Sequence, residues 1–142
     1  MALLVVTVAV LVARWLESRR RAEPPTRDRY PVPAQLDRSD FPRSDAPWLV
    51  VLFSSLSCES CIPMAAKVAA LDSESVATCE VEFSAQPDLH RRYGIEGVPL
   101  VVLADAEGVT MNAFVGSASA GELWAAVAQA RGSEVAGPGT GA

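Results

Sequence analysis

The polarity pattern divides the chain into an apolar lead, a proline-rich stretch and an alternating body. The first 13 residues, "MALLVVTVAVLVA", are nearly all apolar, and Pro24-Pro25 ends the helix they favour. The stretch up to residue 46 holds Pro31, Pro33 and Pro42, which keep the chain extended; its part near Ala34 to Phe41 could supply a short edge strand. "WLVVLFSS" (48–55) is a continuous apolar run and predicts a strand buried on both faces. From Cys58 to Leu71 the apolar spacing fits a helix, which either starts near Ser60 with Pro63 in its first turn or kinks at Pro63.

"VATCEVEF" (76–83) alternates, with Ala77, Cys79, Val81 and Phe83 on one face and Thr78, Glu80 and Glu82 on the other. "PDLHRRYG" predicts a short helix closed by Gly94. Strands over 98–105 and 109–116, joined by "AEG", predict a hairpin. Ser119 and Glu122 have capping-box spacing for a last amphipathic helix running to Gly132, and the tail 132–142 lacks core-forming residues. The order β-α-β-α-β-β-α predicts an α/β fold: a central mixed sheet with helices on both faces, its first two strands parallel. The expected organisation is an apolar helix and basic flank over 1–22, a linker over 23–46, one domain over 47–131 and a disordered tail.

Charge changes the reading of the ends. Residues 1–29 carry six Arg against three acids, a net +3, whereas the remaining chain carries six cations against 14 acids, a net −8. An acidic body argues against nucleic-acid binding, and a basic neck suits anionic lipid headgroups. As a helix the apolar lead to Leu16 would span roughly 24 Å, short of a hydrocarbon core of about 30 Å. Arg14 can snorkel and Trp15 suits the interface. No basic side chain precedes the run and no A-x-A site follows it, so residues 1–16 read as a membrane anchor, not a cleaved leader. The arginines all follow the run, so the positive-inside rule puts the body in the cytoplasm; an extracytoplasmic body is the alternative. Eleven Arg to one Lys fits a GC-rich bacterial genome.

The chain has three cysteines, two of them in "SCESC". A C-x-x-C between a buried strand and a helix has a chemical use. Unpaired N–H groups and the positive dipole end favour the Cys58 thiolate. Cys61 can then reach back to resolve a mixed disulfide. Cys79, on the apolar face of its strand, reads as a small buried hydrophobe. His90, beside Arg91 and Arg92 on a polar helix, reads as solvated. No further ligands are spaced for a metal site, although two thiolates could still clip a Cu(I) ion.

Three further stretches carry a family resemblance. "WLVVLFSSLSC", "RYGIEGVPLVVLADAEG" and "FVGSASAGELWAAV" resemble segments of the thioredoxin family, over about Trp48 to Arg131. The resemblance implies a thioredoxin-like fold that exchanges disulfides with protein substrates without a cofactor beyond its own Cys58–Cys61 disulfide. It makes Cys58 the attacking thiol, Cys61 the resolving thiol, and Pro99 a cis-proline facing them, with the Val98–Pro99 backbone pairing to the substrate. The partners it implies are protein thiols or disulfides, with a reductant or oxidant that the sequence does not name.

Departures from the thioredoxin pattern narrow this expectation. Ser57 stands where thioredoxin usually has Trp, and Glu59-Ser60 where it has Gly-Pro. Its buried strand acid aligns with Leu52, and the lysine beside that acid with Glu80. Glu80 substitutes for the missing acid only if it faces the site; a strand glutamate is more often solvated. Glu59 puts negative charge beside a developing thiolate, which predicts a raised Cys58 pKa and a reducing couple. The expectation is a membrane-anchored thiol–disulfide oxidoreductase, slower and more specialised than a general thioredoxin. The alternative is a non-catalytic thioredoxin-like module that binds a protein partner or Cu(I).

Overall fold

A computed structural model describes residues 7–12 and 30–135 of the 142-residue chain. Residues 7–12 are helical and exposed. The rest of the expected anchor and basic neck, and the tail beyond residue 135, lie outside the described residues. Among the described residues, no helix is long and apolar enough to cross a membrane.

The apolar run forms β1 (Trp48–Ser54), and all seven of its residues are buried. The helix α1 (Cys61–Ala69) takes the first of the two expected forms, with Pro63 in its opening turn, where a missing N–H costs nothing. Then follow β2 (Val76–Glu82), α2 (Pro87–Arg92), β3 (Leu100–Ala104), β4 (Thr110–Val115) and α3 (Ala120–Val135). The sheet order is β2-β1-β3-β4, with β1–β2 parallel and the β3–β4 hairpin antiparallel to β1. The element order matches the polarity pattern; the strand ends are shorter by one or two residues.

Alternation along β1 feeds two cores. Trp48, Val50 and Leu52 pack with Met64 and Val68 of α1 and Leu123, Ala126 and Val127 of α3. Leu49, Val51 and Phe53 point to the other face, where Leu36, Phe41, Ala77, Val81 and Val102 join them. Each fully buried Leu, Val or Phe contributes roughly 1.5–3 kcal/mol, so β1 anchors both layers. α3 opens with the expected reciprocal cap: Ser119 N–H donates to Glu122 Oε2 at 2.8 Å, and Glu122 N–H to Ser119 Oγ at 3.2 Å. The helix does not stop at Gly132 but continues to Val135, which shortens the expected tail.

The expected linker needs a larger correction. Leu36, Phe41 and Ala46 are buried, so the segment from Val32 to Ala46 is one wall of the second core. It forms no edge strand. A 3-10 turn over Arg38–Asp40 and one antiparallel bridge, Gln35 to Val109, take its place. Prolines on both sides withhold the N–H groups that a ladder requires. Arg38, only 8% exposed, donates to the carbonyls of Asp105, Arg43 and Ala46 at 3.0, 3.1 and 2.9 Å. Leu36 N–H bonds Gly108 O at 2.8 Å, and Gly108 has φ +84°; a Cβ there would collide with Leu36 O.

Candidate active site

β1 delivers the chain to one end of the sheet, and the loop 55–60 turns it back into α1. Two stacked turns build that loop: Cys58 N–H bonds Ser55 O at 3.0 Å, and Cys61 N–H bonds Cys58 O at 3.2 Å. Cys61 is the first helical residue and is buried, whereas Cys58 lies before the helix and is half-buried. Their sulfurs are at disulfide distance and their Cα atoms 5.3 Å apart. The Ser60 hydroxyl lies 3.5 Å from Cys58 Sγ, and the Ser55 and Ser57 hydroxyls share a hydrogen bond at 3.0 Å. The more open sulfur therefore lies just ahead of the helix N-terminus, with a hydroxyl beside it.

A second loop reaches the same end of the sheet. The Val98–Pro99 bond is cis, and Leu100, the next residue, pairs with Phe53 of β1. Gly116 N–H donates to Pro99 O at 2.8 Å. Ala118 N–H contacts Met64 Sδ at 3.4 Å, which ties the loop after β4 to the first turn of α1. Tyr30 lies against Gly97, its ring carbons 2.9–3.0 Å from the position a Cβ would take.

Leu52, where an acid would serve the resolving cysteine, is fully buried and faces Glu80 across the ladder. The Glu80 carboxylate is exposed and accepts the Ser54 hydroxyl at 2.6 Å. It therefore borders the active-site end of β1, fixed by Ser54, four residues before Cys58. Glu59 is exposed in the loop between the cysteines.

Two residues matter more than the sequence suggested. Glu82, assigned only to a polar strand face, accepts the backbone N–H of Leu56 at 3.1 Å and of Ala85 at 2.9 Å. Backbone N–H donation, from Ser84 first and then Ala85 and Leu56, holds its carboxyl below the ordinary glutamate range despite some desolvation. The signal was its position at the strand's last residue, where neighbouring amides run out of ladder partners. His90, expected to be solvated, is 3% exposed. Its ring meets Phe53 and Phe83 edge-on, with centroids 5.5 and 5.3 Å apart, and its Nε2 lies 2.9 Å from Val81 O. A carbonyl only accepts, so Nε2 carries the proton in this bond. Phe83 follows β2 instead of ending it on the apolar face, and remains 51% exposed while covering His90.

Cys79 is half-buried on the sheet face opposite α1, and burial, with Glu80 adding a smaller effect, pushes its thiol pKa up. Among the described residues, no group of three or more His, Cys, Asp and Glu is placed to hold a metal ion.

The family model for thioredoxin matches residues 39–129, which include both paired cysteines and Pro99. The chain belongs to the thioredoxin family. A solved structure described as "Structure of a malarial protein" is similar to this chain, with a TM-score of 0.54 and 15% identity over 58% of this chain and 96% of that one. At that identity the likeness speaks for the thioredoxin fold alone. No curated protein matches. Within this thioredoxin-family domain, the cysteine pair at the mouth of α1 and the cis-proline loop are the features with chemistry to offer.

Proposed function

We propose that the chain is a membrane-anchored thiol–disulfide oxidoreductase acting on protein disulfides. The observation that carries the reading is the asymmetry of the pair: Cys58 half-buried ahead of α1, Cys61 buried as its first residue, and their sulfurs at disulfide distance. In the reduced protein the Cys58 thiolate attacks one sulfur of a substrate disulfide. A Cys58–substrate disulfide forms and the other substrate sulfur leaves as a thiolate. Cys61, deprotonated, then attacks Cys58 Sγ, forms the internal disulfide and releases the second substrate thiolate. Two electrons pass from the dithiol to the substrate, and the same steps run backwards oxidise a substrate dithiol. The backbone of Val98 and Pro99 is the surface for the substrate strand beside this sulfur.

Glu59 and the absence of an acid at Leu52 bias the couple towards reduction of substrates and slow the resolving step. Attachment through residues 1–16 and a cytoplasmic body rest on the apolar run and the arginines that follow it.

The test is the Cys61→Ser variant in cells. It should accumulate mixed disulfides that vanish on reduction and in the Cys58→Ser, Cys61→Ser double variant. A module that only binds a partner or Cu(I) yields no such adducts, and that outcome overturns the proposal. Fusion of a reporter active only in the cytosol after Ala142 tests the orientation, and activity of a periplasm-only reporter reverses it.

A further inference from the structure

Four segments meet around the cysteines: 54–62, 80–86, 94–99 and 115–119. Phe83 N–H to Ser54 O, at 2.9 Å, and the Leu56–Glu82 bond join the first two; Gly116 N–H to Pro99 O, at 2.8 Å, joins the last two; the Phe53–Leu100 pairing and the Ala118 contact with Met64 of α1 bring the two pairs to the same end of the sheet. These segments contain Glu59, Glu80, Glu82 and Glu96, and no Lys, Arg, His or Asp. The nearest cation on α1, Lys67, donates to Ala118 O at 2.8 Å and is offset by Glu122. On α2, Arg91 pairs with Asp88, and Arg92 with Asp37 and Asp40. The helix N-terminus offers only about half a positive charge, which does not cancel four carboxylates.

The same border exposes large apolar side chains. Leu56, two residues before Cys58, is 82% exposed, and Ile62, directly after Cys61, is 73% exposed. Phe83, 51% exposed, follows β2, and its N–H bonds Ser54 O at the strand end that leads into the cysteine loop. Isolated exposed apolar residues need no explanation, but three on the segments bordering one reactive pair offer apolar area to a substrate.

We propose that the protein disulfide this site takes is flanked by Lys or Arg and by an apolar residue, so that its substrates are cationic, apolar-bordered cysteine segments. The inference rests on the disulfide exchange proposed above and names the substrate class of that site. The basic flank answers the four glutamates, and the apolar residue covers Leu56 and Phe83. Electrostatic attraction of this kind raises the rate of encounter and is screened by salt.

The test uses the reduced full-length protein in detergent and three symmetric disulfides of short peptides. One peptide has Leu and Lys beside its Cys, one has Ser and Lys, and one has Leu and Glu. The rate of dithiol loss, read by alkylation and mass spectrometry, is divided by the rate of neutral dithiothreitol with the same peptide, which removes intrinsic reactivity. The Leu-Lys peptide should exceed the Leu-Glu peptide by about tenfold at low salt, with the ratio shrinking several-fold at 1 M salt. The Glu59→Gln, Glu96→Gln double variant should narrow it at low salt, and Leu56→Ser should erase the advantage of Leu-Lys over Ser-Lys. Equal normalised rates for Leu-Lys and Leu-Glu, with all peptides reacting, overturn the inference and leave the exchange reading standing. Failure of every peptide to react overturns both.

Discussion

The carboxylate of Glu82 accepts the backbone N–H of Leu56 at 3.1 Å, so the strand that follows the active-site helix steadies the loop that precedes it. The Glu82→Ala variant should exchange the Leu56 amide faster and spread the Cys58 alkylation rate upward, without loss of the fold. Hydrogen exchange by NMR reads the first effect. The acid dependence has a defined sign. Because the folded-state pKa is lowered, the contribution is full at neutral pH and is lost as pH falls below the ordinary value of 4.5 and through the lowered folded value. Unchanged Leu56 exchange in the variant would remove Glu82 from this role.

Ser60 and Glu59 act on Cys58 in opposite directions. A hydroxyl 3.5 Å from the sulfur can donate to a thiolate, and a neighbouring carboxylate opposes it. Ser60→Ala should raise the Cys58 pKa, Ser60→Thr should leave it nearly unchanged, and Glu59→Gln should lower it. The pH dependence of iodoacetamide labelling of the reduced protein measures all three, and a fall in Ser60→Ala would reverse the assigned direction.

His90 is held by two rings and a carbonyl. His90→Ala should destabilise the domain by about 2–4 kcal/mol, because it opens a cavity beside Phe53 and strands a polar group. Urea denaturation gives the value, and a loss under 0.5 kcal/mol would show that the ring contributes little.

Tyr30 and Gly97 are coupled by contact. Gly97→Ala should cost about 1–2 kcal/mol in the presence of the Tyr30 ring and markedly less in a Tyr30→Ala background. A double-mutant cycle without coupling would mean that the ring gives way freely.

Cys79 should react more slowly than reduced Cys58, because burial raises its pKa. Denaturation should expose it to one further equivalent of reagent. Native labelling at a comparable rate would contradict the placement.

Much of the body was legible in the sequence because its signals are local. A strand with six consecutive apolar residues, a capping box and a glycine closing a short helix each follow from neighbouring residues. The order of strands and helices, and the cysteine pair at their junction, could be read in the same way. His90 was misread because its immediate neighbours are arginines, whereas its environment comes from Phe53, 37 positions away, and from Phe83. The proline-rich stretch was misread for a related reason. Prolines report that no ladder forms, but not whether the extended chain is packed, and Leu36 and Phe41 are buried by partners far along the sequence. Glu82 was invisible as a loop anchor because its partners are backbone amides, which carry no residue-type signature.

The guanidinium of Arg38 joins the carbonyls of Asp105, just after β3, and Ala46, just before β1, and Leu36 just before it is wholly enclosed. Both residues precede the stretch that matches the family, which begins at residue 39. A fragment cut at that boundary would lose the clasp and uncover Val51 and Phe53 to water. An autonomous piece of this chain should therefore include Leu36 and Arg38, and a shorter excision should yield an aggregating, thiol-exposed chain instead of a working domain.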